Sequence, residues 1–319
     1  MAALAREFAL IEKYFRPLAG PAGLALADDA AILPAIPGRE WVVSVDAMIA
    51  GVHFLPDDPP DLIARKLLRV NLSDLAAMAA TPFGYLLTLA APKETPESWF
   101  KSFAAGLAED QAQFSISLLG GDTTSISGPL ALSLTIFGEV PAGKALRRVG
   151  AQPDDEVWVS GTIGDAALGL AVRRGELADP SKTLLGRYLL PEPRVALGAA
   201  LAGIARAGMD VSDGLVQDLG HLCRAAGLGA VIEAEMVPLS HAAREAGPDH
   251  LTRCLTGGDD YELVLAVPPE RAARLQAAAA AASVAVTRIG HFHADPARVV
   301  VRDGTGAEMA LKSGGWSHF

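Results

Sequence analysis

Six short acidic stretches hold the residues best suited to chemistry: Ala27–Ala31 (ADDAA), Ser44–Asp46 (SVD), Asn71–Asp74 (NLSD), Gly120–Thr124 (GGDTT), Ala207–Leu215 (AGMDVSDGL) and Thr256–Glu262 (TGGDDYE). Each sets aspartate beside Gly, Ser or Thr, with apolar runs close by. Carboxylates at the edge of a packed scaffold must be hydrated, hydrogen-bonded or neutralised by cations, because burying an unpaired charge is costly. Clustered hard oxygens suit Mg²⁺, which keeps some of its waters and bridges carboxylates to substrate phosphates. The residue types therefore point to Mg²⁺-dependent handling of phosphate. Taken singly, each stretch is also ordinary turn or cap chemistry, and Asp213 ahead of GLVQDL could serve only as an N-cap. Capping does not account for GGDTT, whose consecutive glycines allow close backbone approach to a ligand. Nor does it account for the pairs Asp28–Asp29 and Asp259–Asp260, which repel unless a cation sits nearby.

The elements that must position these residues read as a mixture. Leu4, Phe8, Ile11 and Phe15 fall at helical spacing. Trp41–Val45 reads as a buried strand ending at Asp46, and Pro59–Pro60 open a helix whose Leu62, Ile63, Leu67, Val70 and Leu75 share one buried side. Asp74 then projects from that helix. A second helix follows Pro96, then strands over 115–119 and 130–137, with GGDTT just after the first. Gly138–Asp155, with two prolines and internal glycines, is the best domain boundary. Beyond it, 156–160 reads as a strand and 162–173 as a helix. Helical pattern resumes after Pro193, stops near Gly208 and resumes after Gly214. Strands are expected over 261–267, 284–289 and 299–301, with an Ala-rich helix between the first two. Strands and helices mix without regular βαβ alternation, which predicts an α+β fold.

Composition narrows the function. At 319 residues, half of them apolar, two domains with substantial cores are expected. A net charge of −10 argues against general nucleic-acid binding, which calls for a basic stripe. It also sets a tension with anionic phosphate ligands that metal ions between the two would resolve. Cys223 and Cys254 form neither a CxxC nor a disulfide framework, so a reducing cytoplasm is expected. The longest bland run, Ala277–Ala282, is far short of the ~20 residues that span a bilayer, so no membrane association is expected.

Several motifs drop out. Gly138–Ala145 (GEVPAGKA) is close to a phosphate-binding loop, but Ala145 stands where a hydroxyl should meet Mg²⁺ and Pro141 interrupts it. It reads as a linker with solvated basic residues. There is no G-x-S-x-G, the seven histidines include no HExxH, and His291 and His293 read as surface or satisfied residues. No side-chain nucleophile or general base stands out, so catalysis by positioning and metal ions is expected.

Read together, ADDAA, SVDAMIAGVHF, NLSDLAAMAATP, GGDTT, LRRVGA, VSGTIGD, DVSDGL and TGGDDYEL resemble the thiamine-monophosphate kinase family, in that family's order from Ala27 to Trp316. The family belongs with aminoimidazole ribonucleotide synthetase, selenophosphate synthetase and a hydrogenase-maturation factor. The resemblance implies a two-domain aminoimidazole ribonucleotide synthetase-like architecture. Residues 1–140 would form an N-terminal α+β domain carrying the metal and nucleotide site, its sheet pairing with a second subunit's in a homodimer. Residues 141–319 would form a C-terminal α+β domain closing over the nucleotide. It implies transfer of the ATP γ-phosphate to thiamine monophosphate. By motif match, Asp29, Asp46, Asp74, Asp122, Asp210 and Asp213, with Ser44, would hold several Mg²⁺ ions. Gly121, Asp122, Arg148 and Ser212 would contact ATP; His53, Asp259 and Trp316 would lie on the thiamine side. Ala27 replaces the family's usual Gly, and Asp259 its usual Glu. Either Arg147 or Arg148 could reach ATP, the spacing to Val149–Gly150 favouring Arg148. The alternatives are another ATP-dependent enzyme of the superfamily and a non-catalytic Mg²⁺–nucleotide-binding protein. The absence of a reactive N-terminal Cys position and of a C-terminal Cys weighs against the selenophosphate and hydrogenase-maturation roles.

Overall fold

Pro60 begins helix α1 (Pro60–Ala77) where a missing N–H costs nothing, and the Ile63 N–H donates to the Pro59 carbonyl at 2.9 Å. In this computed structural model, which describes residues 9–26, 30–31, 33–295 and 298–317, α1 is buried on more than the one expected side. Besides Ile63, Leu67, Val70 and Leu75, it buries Lys66, Arg69, Asn71 and Ser73. Arg69 meets Asp110 of helix α2 (Glu97–Phe114) in a bidentate pair, Nε–Oδ2 2.7 Å and Nη2–Oδ1 3.0 Å. A buried charge is tolerated in this paired form.

The chain divides into two compact units. One comprises the described residues up to Leu75 together with Thr81–Gly143; the other comprises Ala76–Ala80 and the described residues from Lys144 onward. The first holds a four-stranded sheet in the order β1-β4-β2-β3, built from β1 (Arg39–Ile49), β2 (Thr81–Pro92), β3 (Ser117–Ile126) and β4 (Ala131–Pro141). β4 pairs antiparallel with β1 and β2, while β2 and β3, joined through α2, run parallel. Asp46 lies inside β1 rather than at its end. GGDTT likewise lies within β3 rather than after it, because β2 supplies a paired edge along its whole length. β2 itself is not evident from its sequence, where Pro82 and Gly84 break the strand pattern; both sit at a register shift opposite β4.

The second unit holds a six-stranded sheet in the order β10-β7-β9-β5-β8-β6: β5 (Glu156–Ser160), β6 (Ala207–Val211), β7 (Gly229–Glu233), β8 (Glu262–Val267), β9 (Val286–His293) and β10 (Val299–Arg302). Its helices are α3 (Asp165–Arg173), α4 (Thr183–Leu189), α5 (Val195–Ala200), α6 (Leu215–Ala226), α7 (His241–Glu245), α8 (Leu251–Thr256) and α9 (Ala272–Ala281). The helical pattern after Pro193 ends early, at Ala200, and AGMDV becomes strand β6. Both faces of this sheet are covered. Val157, Val159, Val264 and Ala266 pack with Leu215, Leu219 and Leu222 of α6; Trp158, Leu263, Leu265 and Val267 pack with Leu197 of α5 and Leu275 of α9. Each fully buried leucine contributes ~1.5–3 kcal/mol. Burial on both faces removes the apolar–polar alternation that would otherwise have marked β6 as a strand. The turn after β4 leads into no helix, so GEVPAGKA lacks the element a phosphate loop requires. Among the described residues no helix is long and apolar enough to cross a membrane.

Candidate functional site

In the first unit, strand alternation turns Ser44 and Asp46 to one face of β1. There Ser44 Oγ donates to Asp74 Oδ2 of α1 at 2.5 Å. Asn71, one helical turn before Asp74, ties the two elements together: its Oδ1 accepts the Asp46 N–H at 3.1 Å, and its Nδ2 donates to the Leu67 carbonyl at 2.9 Å. Burial, with the charge of Asp74 second, pushes the Asp46 carboxyl up to about 7. Both influences act in the same direction, so this pair favours an added positive charge.

His53 sits in the turn after β1, where its Nδ1 accepts the Ile49 N–H at 3.1 Å. An accepting Nδ1 leaves the ring proton on Nε2. Gly121 is required by close approach, since a Cβ there would stand 1.9 Å from the Leu87 carbonyl oxygen. Asp122 lies opposite Thr88 and lines a cavity of about 600 Å³ with Gly120, Gly121, Leu86 and Phe137. Asp46 pairs with Leu134, Leu134 with Leu87 and Leu87 with Gly121. Three strand spacings, roughly 14 Å along the sheet, thus separate Asp46 from the Gly121–Asp122 row. Asp29 lies outside the described residues, as do Ala27 and Asp28.

In the second unit two acidic stretches clasp each other. Asp210, buried on β6, pairs with Leu263, and Ser212 and Asp213 form the turn into α6. The Asp259 N–H donates to the Ser212 carbonyl and the Tyr261 N–H to the Val211 carbonyl, both at 2.8 Å. Asp259 and Tyr261 take left-handed φ values of 72° and 52°. Asp tolerates this readily; for Tyr it costs about 1–2 kcal/mol, a strain that such a clasp sustains. Tyr261 then donates its hydroxyl to Asp259 Oδ1 at 3.2 Å. The Trp316 N–H reaches the Asp213 carbonyl at 2.9 Å, and the residue is 55% exposed. Burial lowers the His221 imidazole first, then the charges of Arg224 and Arg148, with Asp213 opposing. Arg148 and Asp213 both lie within electrostatic reach of His221, and the Arg147 carbonyl accepts the Gly208 N–H at 3.1 Å. The structure thus brings Asp210, Ser212, Asp213, Asp259 and the backbone of Trp316 together in this unit, and Ser44, Asp46 and Asp74 in the other.

Two supporting residues escape a sequence reading. Asn71 is visible only as part of NLSD. Asp218, in the first turn of α6, accepts the N–H groups of Asp213 and Gly214 at 3.0 and 3.1 Å and so sets the DVSDGL turn. Burial raises its carboxyl to about 7, those backbone bonds oppose the rise, and the Asp213 charge adds to it. An acid four residues past Gly214 was the signal, being placed to cap the helix from within. Among the described residues no three His, Cys, Asp or Glu side chains gather closely enough to hold a metal ion.

Comparison with known proteins adds a second line of evidence. Residues 27–140 match the AIR synthase related protein N-terminal domain, and residues 152–303 its C-terminal domain. The chain is 48% identical to thiamine-monophosphate kinase of Caulobacter vibrioides, over 90% of this chain and 84% of that one. The crystal structure of thiamine-monophosphate kinase from Stenotrophomonas maltophilia superposes with a TM-score of 0.84 at 41% identity, covering 93% of this chain and 96% of the other. AaThiL complexed with AMPPCP and TMP superposes with a TM-score of 0.78 at 28% identity, with both chains fully covered.

Proposed function

We infer the activity from one premise: this chain belongs to the thiamine-monophosphate kinase family. It transfers the γ-phosphate of ATP to the phosphate of thiamine monophosphate, forming thiamine diphosphate. The observation that carries this reading to the chain's own residues is the Ser44–Asp46–Asp74 cluster, held by Asn71 and made only of oxygen donors. A half-buried Asp46 whose proton affinity is raised by burial and then by the Asp74 charge fits a hard divalent cation beside it. Asp46 and Asp74 with Ser44 would hold one Mg²⁺ in the first unit; Asp122, about 14 Å away across the sheet, and Asp29 would serve further ions, as would Asp210 and Asp213 in the other unit. When bound, Mg²⁺ offsets the charge of the phosphates and lets two polyanions approach.

The chain's residues otherwise bind and orient. Gly121, with a backbone free of side chain, Asp122, Arg148 and Ser212 would bind the nucleotide. His53, with its Nε2 proton fixed, Asp259 and Trp316 receive the acceptor, the indole stacking on an aromatic ring of thiamine. The acceptor phosphate is already ionised near neutral pH, so no strong base is needed and transfer proceeds directly and in line. Chiral-phosphate analysis is expected to give inversion; retention would establish a phosphoenzyme instead.

A homodimer fits the same reading. Val43 and Val45 are 54% and 60% exposed on the face of β1 away from Asp46, an apolar surface that the sheet of a second copy would cover. A cytoplasmic setting accords with Cys223 and Cys254, both buried and free. The deciding experiment is product analysis with ATP, Mg²⁺ and thiamine monophosphate. Thiamine diphosphate that requires Mg²⁺, with none formed from free thiamine, is expected. Binding of ATP without that product would assign a different acceptor.

A further inference from the structure

Trp316 is 55% exposed. Its backbone is gripped on both sides. The Trp316 N–H donates to the Asp213 carbonyl at 2.9 Å, and the Trp316 carbonyl accepts from Gln217 Nε2 at 2.6 Å. Gln217 also spends its own N–H, one of the donors the first turn of a helix leaves without an internal partner, on the Gly314 carbonyl at 3.0 Å. Between these bonds Gly315 lies flat on the helix start. A Cβ there would stand 2.6 Å from the Asp213 carbonyl oxygen and 2.6 Å from Gln217 Cβ. The 314–316 strap is thus bound to the same turn that presents Asp213, and one side chain, Gln217, fixes the carbonyl of Trp316 itself.

We propose that Gln217 is a positioning residue for the acceptor: it orients Trp316 beside Asp213 so that the indole meets the aromatic part of the substrate. This rests on the reading of Trp316 as a thiamine-side residue. The hydrogen bonds of Gln217 go to the 314–316 strap, so its effect falls on acceptor binding and not on transfer. The backbone bonds of Gly314 and of the Trp316 N–H survive any substitution at 217, so the strap stays attached while the Trp316 carbonyl loses the bond that fixes its orientation.

Gln217→Met keeps the length and removes the donor. In full-length protein it is expected to raise KM for thiamine monophosphate about five-fold, the effect of one net hydrogen bond, with kcat and KM for ATP unchanged. Trp316→Ala should raise the same KM about tenfold or more, and the double variant should match Trp316→Ala alone, because Gln217 acts through Trp316. Amide exchange in the 309–317 segment should quicken in Gln217→Met. A raised KM in Trp316→Ala with none in Gln217→Met, or two effects that multiply, would overturn the positioning role. Unaltered amide exchange in Gln217→Met would overturn the clamp itself. An unchanged KM in Trp316→Ala would remove Trp316 from the acceptor side, and the proposal with it; quickened exchange in that case would assign the clamp to tail attachment alone.

Discussion

Two clusters of buried or half-buried carboxylate, one in each unit, have opposite surroundings. Glu262 is wholly buried, yet the protein completes its environment: Arg187 Nη2 lies at 2.7 Å, Arg194 Nε at 2.6 Å and Ser160 Oγ at 2.6 Å. Ser160 in turn accepts the Leu263 N–H, so the charge is woven into β5 and β8. Burial works against the Arg194 charge, and the hydrogen bond and charge of Glu262 outweigh it, leaving its pKa raised. At Asp46 and Asp74 the arrangement is reversed. A hydroxyl and a backbone amide order the pair, but the two influences on Asp46 both disfavour its charge. A carboxylate closed by arginines holds a fold together; a carboxylate pair left electrostatically strained is a place for a ligand.

Substitutions should separate the two. Asp74→Asn removes a charge from the strained pair, and kcat is expected to fall on the order of 10³-fold, the scale for loss of one transition-state electrostatic contact, while the thermal midpoint stays or rises. An equal fall in midpoint and activity would make the pair structural. Glu262→Gln should do the reverse. It leaves two half-buried guanidinium groups with only the exposed Glu192, among the described residues, as an anionic partner, at a cost of about 3 kcal/mol, read as a drop in the denaturation midpoint, with the folded fraction still active.

Asn71→Leu sits between these cases. It fills similar space but cannot take the Asp46 N–H, and a loss of about 1–2 kcal/mol in stability with a several-fold rise in the Mg²⁺ needed for half-maximal rate would show that Asp46 is held for the metal. An unchanged Mg²⁺ requirement would confine Asn71 to the helix–strand contact. The smallest effect is expected at Asp260, fully enclosed and accepting the Gly164 N–H at 2.8 Å. Burial raises its pKa well above the ordinary value, the Gly164 bond opposing. Folding therefore takes up a proton between the ordinary and the raised pKa, so stability falls as pH climbs through that window. Asp260→Asn should flatten this dependence and change stability by about 1 kcal/mol or less at acid pH, where Asp260 is protonated in both states; an unchanged slope would place the proton elsewhere.

Much of the fold was legible because it is local. The prolines before α1 and α2, the periodic apolar residues of α1 and the strand around Trp41 each need only a few neighbouring residues to be read, but the burial expected of that strand is not found, because Val43 and Val45 stand exposed on one face of β1. β2 and β6 were not legible, for different reasons: Pro82 and Gly84 disguise the first, and burial on both faces erases alternation in the second. Of the site, Ser44, Asp46, Asp74, Ser212 and Asp213 could be named from their types and spacing. What supports them could not, because Asn71 is 25 residues from Asp46 and Gln217 is 99 from Trp316.

The amino-acid sequence by itself determined the chemistry available: clustered oxygen donors, a net charge of −10, and motifs whose order identifies the family. Tertiary structure alone decided which carboxylates stand together, that Asp46 faces Asp74 from within a strand, and that Trp316 is tied to the Asp213 turn. The physical reason is range. Side-chain chemistry and backbone preference act over a few residues, whereas a hydrogen bond between distant residues exists only after sheets and helices have fixed their ends in register.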